Sequence, residues 1–287
     1  MRKIEELIKK YQVSIERREL TLILAELIQQ NTAFVLTHLE FQLNLLQLFK
    51  LKKIISGRKN NVPLAYLIGR KEFFGLDFFV NKHVLVPRPE TELLVTEALK
   101  IIREDTTDTN EKLLIDVGTG SGCIPIAIAK NIAEKNTIYA LDISRTSLRV
   151  AKKNAFNHQA TIKFKRSNLL KYIIKQKIFE QYSTIIITAN LPYLTETQFK
   201  NEPSIQHEPK NALVADDKGL ALYKKMLLQV QEIFLKNTAR NFYVLMEIDP
   251  DQTALLSQYI TDTLPNWNTK IKTDLCSRDR LIITSNL

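Results

Sequence analysis

Directly behind the apolar run TIIITA, residues 184–189, stands the tetrapeptide Asn190-Leu191-Pro192-Tyr193. Such a run reads as a buried strand, and the carboxyl end of a strand is where an open α/β sheet does its chemistry. Proline fixes its own φ and holds the residue before it extended. The Leu191 carbonyl therefore points one way, and with the Asn190 side-chain oxygen it makes two fixed acceptors. Two acceptors are what an NH₂ group needs: both N–H bonds are held, and the nitrogen lone pair faces a third direction, toward an electrophile. An amide nitrogen is a poor nucleophile because its lone pair is delocalised. Alignment must then supply much of the rate, and aligned reactants gain roughly 7 to 11 kcal/mol over free encounter. Tyr193 is placed to stack on a planar amide or base. No strong general base is needed, since the product nitrogen becomes acidic as the new bond forms. The plain alternative is an Asn-turn and a loop proline.

The chain has seven glycines, and Gly118, Gly120 and Gly122 fall within five residues behind the run LLIDV, separated by Thr119 and Ser121. Glycine at a strand-to-helix turn permits positive φ and close approach of backbone to ligand, while the following helix offers free N–H groups. Steric glycines in a tight turn are the alternative. Asp142 ends the next β-type run, TIYALD, where a carboxylate can accept both hydroxyl protons of a ribose. It could equally cap the helix that follows. The turn reads D-x-G-x-G-x-G, not G-x-G-x-x-G, and carries no P-loop lysine. Asp116 beside it would repel a pyrophosphate but attract the α-ammonium of a methionine moiety, directly or through water. These features favour S-adenosyl-L-methionine over NAD or ATP. In the third β–loop segment, Ser167, Asn168 and Leu169 stand where an amide could bond adenine and Leu169 cover the ring; a simple turn Asn explains Asn168 as well.

Positioning these residues requires a sheet. From Lys112 onward short β-type runs alternate with helical ones: LLIDV, CIPIAIAKNIAE, TIYALDI, SLRVAKKNAF, TIKFKR, TIIITA, LALYKKMLLQVQEIFL, NFYVLMEI and a helix from about Pro250 to Leu264. This predicts a doubly wound, mostly parallel α/β sheet, closed by an antiparallel hairpin near 268–275 and 280–285. Ahead of it, Leu20, Leu24, Leu27 and Ile28 share one helical face and Leu43 to Ile55 is leucine-rich, so residues 1–70 form a small helical domain. EFFGLDFFV, 72–80, predicts a hairpin around Gly75, Leu76 and Asp77 within a connector, 71–83. The catalytic domain then spans 84–287. It opens with VLVPRPETELLVTEALKII, an extended lead-in and a helix with Pro89 at its first position and Glu90 and Glu92 in its first turn, ended by the polar stretch Glu104 to Glu111.

Composition excludes other classes. No apolar run reaches the roughly 18 residues of a membrane span, and the mixed-charge start is neither signal nor transit peptide, so a cytoplasmic location is expected. Cys123 and Cys276 are too few for a zinc site and read as reduced, packed thiols. The four histidines lack HExxH spacing, so no metal is assigned. The +10 charge balance could steer the chain toward nucleic acid or an acidic partner. Its KK and RK pairs, however, lack the interleaved aromatics of a single-strand groove, which argues against direct nucleic-acid binding. Nothing in the sequence demands a dimer, so a monomer is expected.

Several stretches, taken in order, are similar to one family: PLAYLIGRKEFFGLDFFV at 63–80, VLVPRPETELLV at 84–95, LLIDVGTGSGCIPIAIA at 113–129, ANLPYL at 189–194, EPKNALVADDKGLALYKKM at 208–226 and SRDRLI at 277–282. From about residue 15 to its last residue the chain resembles the bacterial glutamine-N5 methyltransferases of peptide chain release factors, the PrmC or HemK family. The resemblance implies a class I S-adenosylmethionine-dependent methyltransferase fold with an N-terminal helical domain that helps dock the release factor. It implies methylation of the glutamine in the factor's Gly-Gly-Gln loop, with Gly118 to Gly122, Asp142 and Leu169 holding the cofactor, Asn190 to Tyr193 the glutamine, and the Glu90 region shaping the cofactor pocket. Two departures stand out. The family usually has Pro where this chain has Leu191, and an acid where it has Asn168. NLPY also occurs in rRNA adenine dimethyltransferases, so the tetrapeptide alone leaves amide and adenine both open, and an RNA or DNA adenine N6-methyltransferase is the alternative enzyme. Domain order decides between them, because those enzymes carry their helical domain after the sheet and lack a PRPETE-like segment. A non-catalytic binding module is a third reading, against which intact Asp142 and Asn190 argue.

Overall fold

The computed structural model of the protein describes residues 1–104, 111–132, 136–236 and 241–287. The polar stretch Glu104 to Glu111 and the end of CIPIAIAKNIAE thus lie partly outside the described residues. The chain divides into two compact units, Met1–Arg70 with Pro203–His207, and Lys71–Glu202 with Glu208–Leu287.

In the first unit, β1 (Arg2–Lys3) leads into α1 (Ile4–Tyr11), followed by α2 (Arg17–Ile28), α3 (Thr32–Thr37), β2 (Gln42–Leu43), α4 (Leu45–Lys59) and α5 (Leu64–Ile68). Leu20, Leu24 and Ile28 of α2 are buried at i, i+4 and i+8, the spacing that puts them on one face. They pack with Ile4, Leu7, Val35 and Leu51 in a core of their own. Asn44 and Gln47 form a reciprocal capping box that starts α4. Helical periodicity gives no hint of the antiparallel β1–β2 pairing, since two residues per strand are too short for a pattern. His207 joins this unit, its Nε2 donating to the Asn60 carbonyl at 2.6 Å.

A hairpin follows, β3 (Arg70–Phe73) and β4 (Leu76–Phe79), which lies in the second unit from Lys71 onward. Its turn is Phe74-Gly75, with φ +52° and +71°, one step earlier than the sequence suggests. Positive φ at both central residues matches the right-handed twist of the strands, which leaves Leu76 and Asp77 to pair in β4. Phe73 and Phe78 are buried in this unit's core. A 3₁₀ turn, Pro89–Thr91, precedes α6 (Glu92–Glu104).

Then follow β5 (Leu113–Val117), α7 (Cys123–Ala129), β6 (Thr137–Asp142), α8 (Arg145–Asn157), β7 (Lys163–Arg166), α9 (Lys171–Lys175), β8 (Thr184–Ala189), α10 (Glu196–Asn201), α11 (Ala221–Lys236), β9 (Asn241–Glu247), α12 (Thr253–Thr263), β10 (Asn268–Thr273) and β11 (Asp279–Ser285). Seven strands run in the order β10-β11-β9-β8-β5-β6-β7. The five from β7 to β9 are parallel, and β11 and β10 return antiparallel. Alternation along β5 sends Leu113, Ile115 and Val117 toward α9, α11 and α12, and Leu114 toward α6, α7 and α8. The fold is the expected class I methyltransferase architecture, three layers deep.

Of the two thiols, only Cys123 is packed. Cys276 is exposed in the turn between β10 and β11, where the Asp274 side chain accepts from the Cys276 and Arg278 amides and turns the Cys276 side chain outward. Among the described residues no helix is long and apolar enough to cross a membrane.

Candidate active site

Three parallel strands deliver the site in register. Val117, the last residue of β5, pairs with Leu141 of β6 on one side and Ala189 of β8 on the other. Gly118, Asp142 and Asn190 therefore leave the sheet side by side, where strand order reverses about β5 and a crevice must open.

Each glycine of the turn answers a different demand. Gly118 (φ +76°) and Thr119 both donate to the Leu141 carbonyl, at 2.8 and 2.9 Å, and a Cβ on Gly118 would lie 2.8 Å from Leu191 Cδ2. Gly120 (φ +54°) donates to Asp142 Oδ2 at 2.9 Å; a Cβ there would meet nothing nearer than the Gly118 carbonyl at 3.9 Å, so this position faces open space. At Gly122 (φ +81°) the amide is spent on the Thr119 carbonyl, and a Cβ would sit 3.1 Å from both Ala151 Cβ and Ile126 Cδ1. That third glycine serves helix packing.

One cleft is lined by Gly118, Thr119, Gly120, Ser121, Asp142, Asn168, Leu169, Asn190, Leu191 and Pro192. Asp142 Oδ1 accepts from the Ser144 amide at 2.8 Å, so both its oxygens are aimed by backbone and each keeps a lone pair to offer. Burial raises its pKa, and the Ser144, Gly120 and Ile143 amides oppose the rise. Leu169 holds φ +53°, a strained conformation for a branched side chain, and turns its side chain into the wall. The Ser167 hydroxyl bonds the Leu169 carbonyl at 2.6 Å and supports that turn.

Asp116, Gly122 and Tyr193 do not reach the cleft wall. Alternation along β5 puts Asp116 on the face of Leu114, beneath α7, where its register partner Thr188 donates to Oδ1 at 2.8 Å. Burial pushes its carboxyl up to about 6; the Thr119 and Thr188 hydroxyls oppose this and the Asp142 charge adds to it. Thr119 approaches without a well-formed hydrogen bond, which leaves Asp116 Oδ2 and Thr119 Oγ1 as buried polar atoms without a partner among the described residues.

The tetrapeptide is held from several sides. Asn190 Nδ2 donates to Thr91 Oγ1 at 3.0 Å. The Leu191 amide donates to the Tyr223 hydroxyl at 3.1 Å, and that hydroxyl donates in turn to the Glu247 carbonyl. Gln252 Nε2 bridges the carbonyls of Tyr193 and Lys218 at 2.8 and 2.9 Å. The Tyr193 hydroxyl donates to Glu247 Oε1 at 3.3 Å, which draws its ring behind the loop. Neither Asn190 Oδ1 nor the Leu191 carbonyl accepts a hydrogen bond from another described residue. The two acceptors that the sequence singles out are free.

Sequence pointed to the Glu90 region as a whole without singling out Arg88 or Thr91 within it, and did not point to Glu208, Tyr223, Glu247 or Gln252. Arg88 and Thr91 line the cleft beside the glycine turn. Buried Glu208 pairs with Arg88 and accepts from the Val86 amide at 2.9 Å, which ties the PRPET segment to the stretch after α10. Their signal was present: PRPET, and a carboxylate closing the apolar strand NFYVLME, are both unusual placements.

Residues 1–69 match the family model described as PrmC N-terminal domain, and residues 95–195 that described as Ribosomal protein L11 methyltransferase (PrmA). The second covers about a third of the chain, from α6 through the tetrapeptide. The chain is 36% identical over 237 residues to the release factor glutamine methyltransferase of Enterococcus faecalis, covering 82% of this chain and 79% of that one. It is 33% identical to its counterpart in Flavobacterium psychrophilum, with 85% and 82% covered. With that of Mycoplasma mycoides subsp. mycoides it shares 30% identity over 97% and 96%. In fold it is similar to the catalytic domain of human METTL16 in complex with MAT2A 3'UTR hairpin 1 (TM-score 0.56, 14% identity, 92% and 91% covered). A structure of the N-terminal domain of human METTL16 with SAH gives a TM-score of 0.52 at 14% identity, with 92% and 94% covered. At such identity these structures speak for the fold alone. Identity of 30 to 36%, sustained through both units and most of each relative, makes the chain a member of the release factor glutamine methyltransferase family.

Proposed function

We propose that this chain transfers a methyl group from S-adenosyl-L-methionine to the side-chain amide nitrogen of the glutamine in the Gly-Gly-Gln loop of peptide chain release factors, in support of translation termination. One observation carries the reading: at the switch point of the sheet, a carboxamide oxygen and a carbonyl oxygen stand free beside a glycine turn and a ribose-type carboxylate.

The residues present fit the donor. Gly120 leaves open the space a side chain would fill, and Asp142 is aimed by two amides. Leu169 and Ile143 add apolar wall. In this reading Gly118, Thr119, Gly120 and Ser121 cradle the methionine moiety, with Gly122 shaping the turn. Asp142 holds the ribose, Asn168 and Leu169 the adenine, and Asp116 acts from beneath the turn by its charge. Bound there, the donor supplies an electrophilic methyl on a sulfonium. Asn190 and Leu191 accept hydrogen bonds from the two amide N–H groups of the glutamine, Pro192 fixes the Leu191 carbonyl, and Tyr193 anchors the loop from outside the cleft through Glu247 and Gln252. The proton released on methylation passes to water, because the amide becomes acidic as the bond forms.

We assign residues 1–70 to docking the release factor, 71–83 to the connector and 84–287 to catalysis. Since release factors work at the ribosome, we place the enzyme in the cytoplasm. Purified release factor with labelled donor should acquire the label on its loop peptide by mass spectrometry, and a Gln-to-Ala substrate should not. Label on that control, or in RNA or DNA instead, would overturn the assignment in favour of an adenine methyltransferase.

A further inference from the structure

We propose that Glu247, at the carboxyl end of β9, is a positioning residue: acting through Thr91 and Tyr193, it sets which way the Asn190 carboxamide faces. This rests on the reading of Asn190 as the grip on the substrate amide.

Asn190 can hold a substrate N–H only with Oδ1 toward the substrate, and its two ends are alike in shape. What distinguishes them is Thr91 Oγ1, which accepts from Nδ2 at 3.0 Å. A threonine hydroxyl can donate or accept, so it enforces one orientation only if its own proton is committed elsewhere. The Thr91 hydroxyl favours the charged form of the Glu247 carboxyl, which places the two within electrostatic reach. Glu247 is 2% exposed; Oε1 receives the Tyr193 hydroxyl at 3.3 Å, and Oε2 has no hydrogen-bond partner among the described residues. A charged carboxylate with one buried oxygen still unclaimed can only accept, so the Thr91 hydroxyl proton is directed toward it and the Thr91 lone pairs are left for Nδ2. The same carboxylate fixes the Tyr193 ring, while the Glu247 backbone carbonyl receives the Tyr223 hydroxyl that holds the Leu191 amide. The side chain of this residue thus bears on Asn190 and Tyr193, and its backbone anchors the Leu191 amide.

Protonation would turn that acceptor into a donor and release Thr91. Burial pushes Glu247 up to about 7, with Glu90 adding to the rise and Thr91, Tyr193 and Arg280 of β11 opposing it. Tyr193 also feels the Arg88 charge, and the Glu247 charge reaches Tyr223 of α11 and buried Cys123.

The test compares Glu247→Gln, Thr91→Val and Thr91→Ser in the full chain. Glutamine fits the space but keeps one acceptor oxygen in place of two, its NH₂ donating where the other glutamate oxygen accepts. We expect Glu247→Gln and Thr91→Val to bind S-adenosyl-L-methionine within about twofold of wild type by calorimetry, and to lose on the order of 10-fold to 100-fold in kcat on a release factor. Thr91→Ser should recover most of the loss. The wild-type kcat should rise through an apparent pKa near 7, a feature absent from Glu247→Gln. Independently of turnover, the Asn190 side-chain amide protons should be protected from exchange in the ¹⁵N-labelled wild type and unprotected in Glu247→Gln and Thr91→Val. Unchanged protection, or donor affinity falling in step with kcat, would overturn the proposal. A wild type that leaves release factor unmethylated would instead sink the functional reading, with the exchange measurement still deciding the role of Glu247.

Discussion

Gly118 and Leu191 compete for one place: a Cβ on the glycine would lie 2.8 Å from the leucine Cδ2. The glycine turn and the Asn190–Tyr193 loop are therefore a single packed object, built from the ends of two neighbouring strands. Gly118→Ala should destabilise the fold by about 1–3 kcal/mol, from positive φ and overpacking together. Leu191→Ala in the same chain should restore the overpacking part alone, a coupling that a double-mutant cycle in urea measures. Gly120→Ala carries only the strain, about 1 kcal/mol, because its Cβ meets open space. That same Cβ would occupy the cleft, so Gly120→Ala should weaken donor binding more than stability.

Asp142 and Asn190 should separate binding from turnover. Losing a charged acceptor costs about 1.5–3 kcal/mol, so Asp142→Ala should weaken donor affinity roughly 10-fold to 100-fold by calorimetry. Asn190→Ala should leave that affinity close to wild type and remove most of kcat. Full activity in both variants would refute the site assignment.

Stability should fall as pH rises through neutrality. The carboxyls of Glu247 and Asp116 sit at about 7 and about 6, above their ordinary 4.5 and 3.8, because burial disfavours the charge. A raised folded-state pKa contributes stability that is complete below the unfolded value and is lost as pH climbs through the folded one. Glu247→Gln removes its share, at most about 3 kcal/mol. Its melting temperature should gain on wild type between about pH 5 and about pH 8, even as turnover is lost.

The two thiols should react differently. Cys123 is buried and pushed up to about 12, whereas Cys276 is exposed. A thiol reagent should label Cys276 alone in the native chain and both after denaturation, as peptide mapping would report.

Much of this was legible in residue order. Hydrophobic alternation between LLIDV and NFYVLMEI specified a parallel sheet with its strand ends at the ligand edge, and three glycines in five residues marked the turn. The hairpin turn was misplaced by one step because Phe74 has no intrinsic preference for positive φ; strand twist imposes it. Asp116 was expected at the ligand, yet the two-residue period of β5 carries its side chain under α7.

Sequence by itself determined where glycines, carboxylates and a proline-fixed carbonyl follow the strands, because those features belong to residue type and to neighbours one or two positions away. Tertiary structure decided which groups aim them. Thr91, Tyr223 and Glu247 come from separate elements and meet Asn190 and Leu191 only when β5, β8 and β9 align in register. A hydrogen bond spanning 99 residues, such as that from Asn190 to Thr91, leaves no periodic trace in the chain, since register between strands is a property of the sheet.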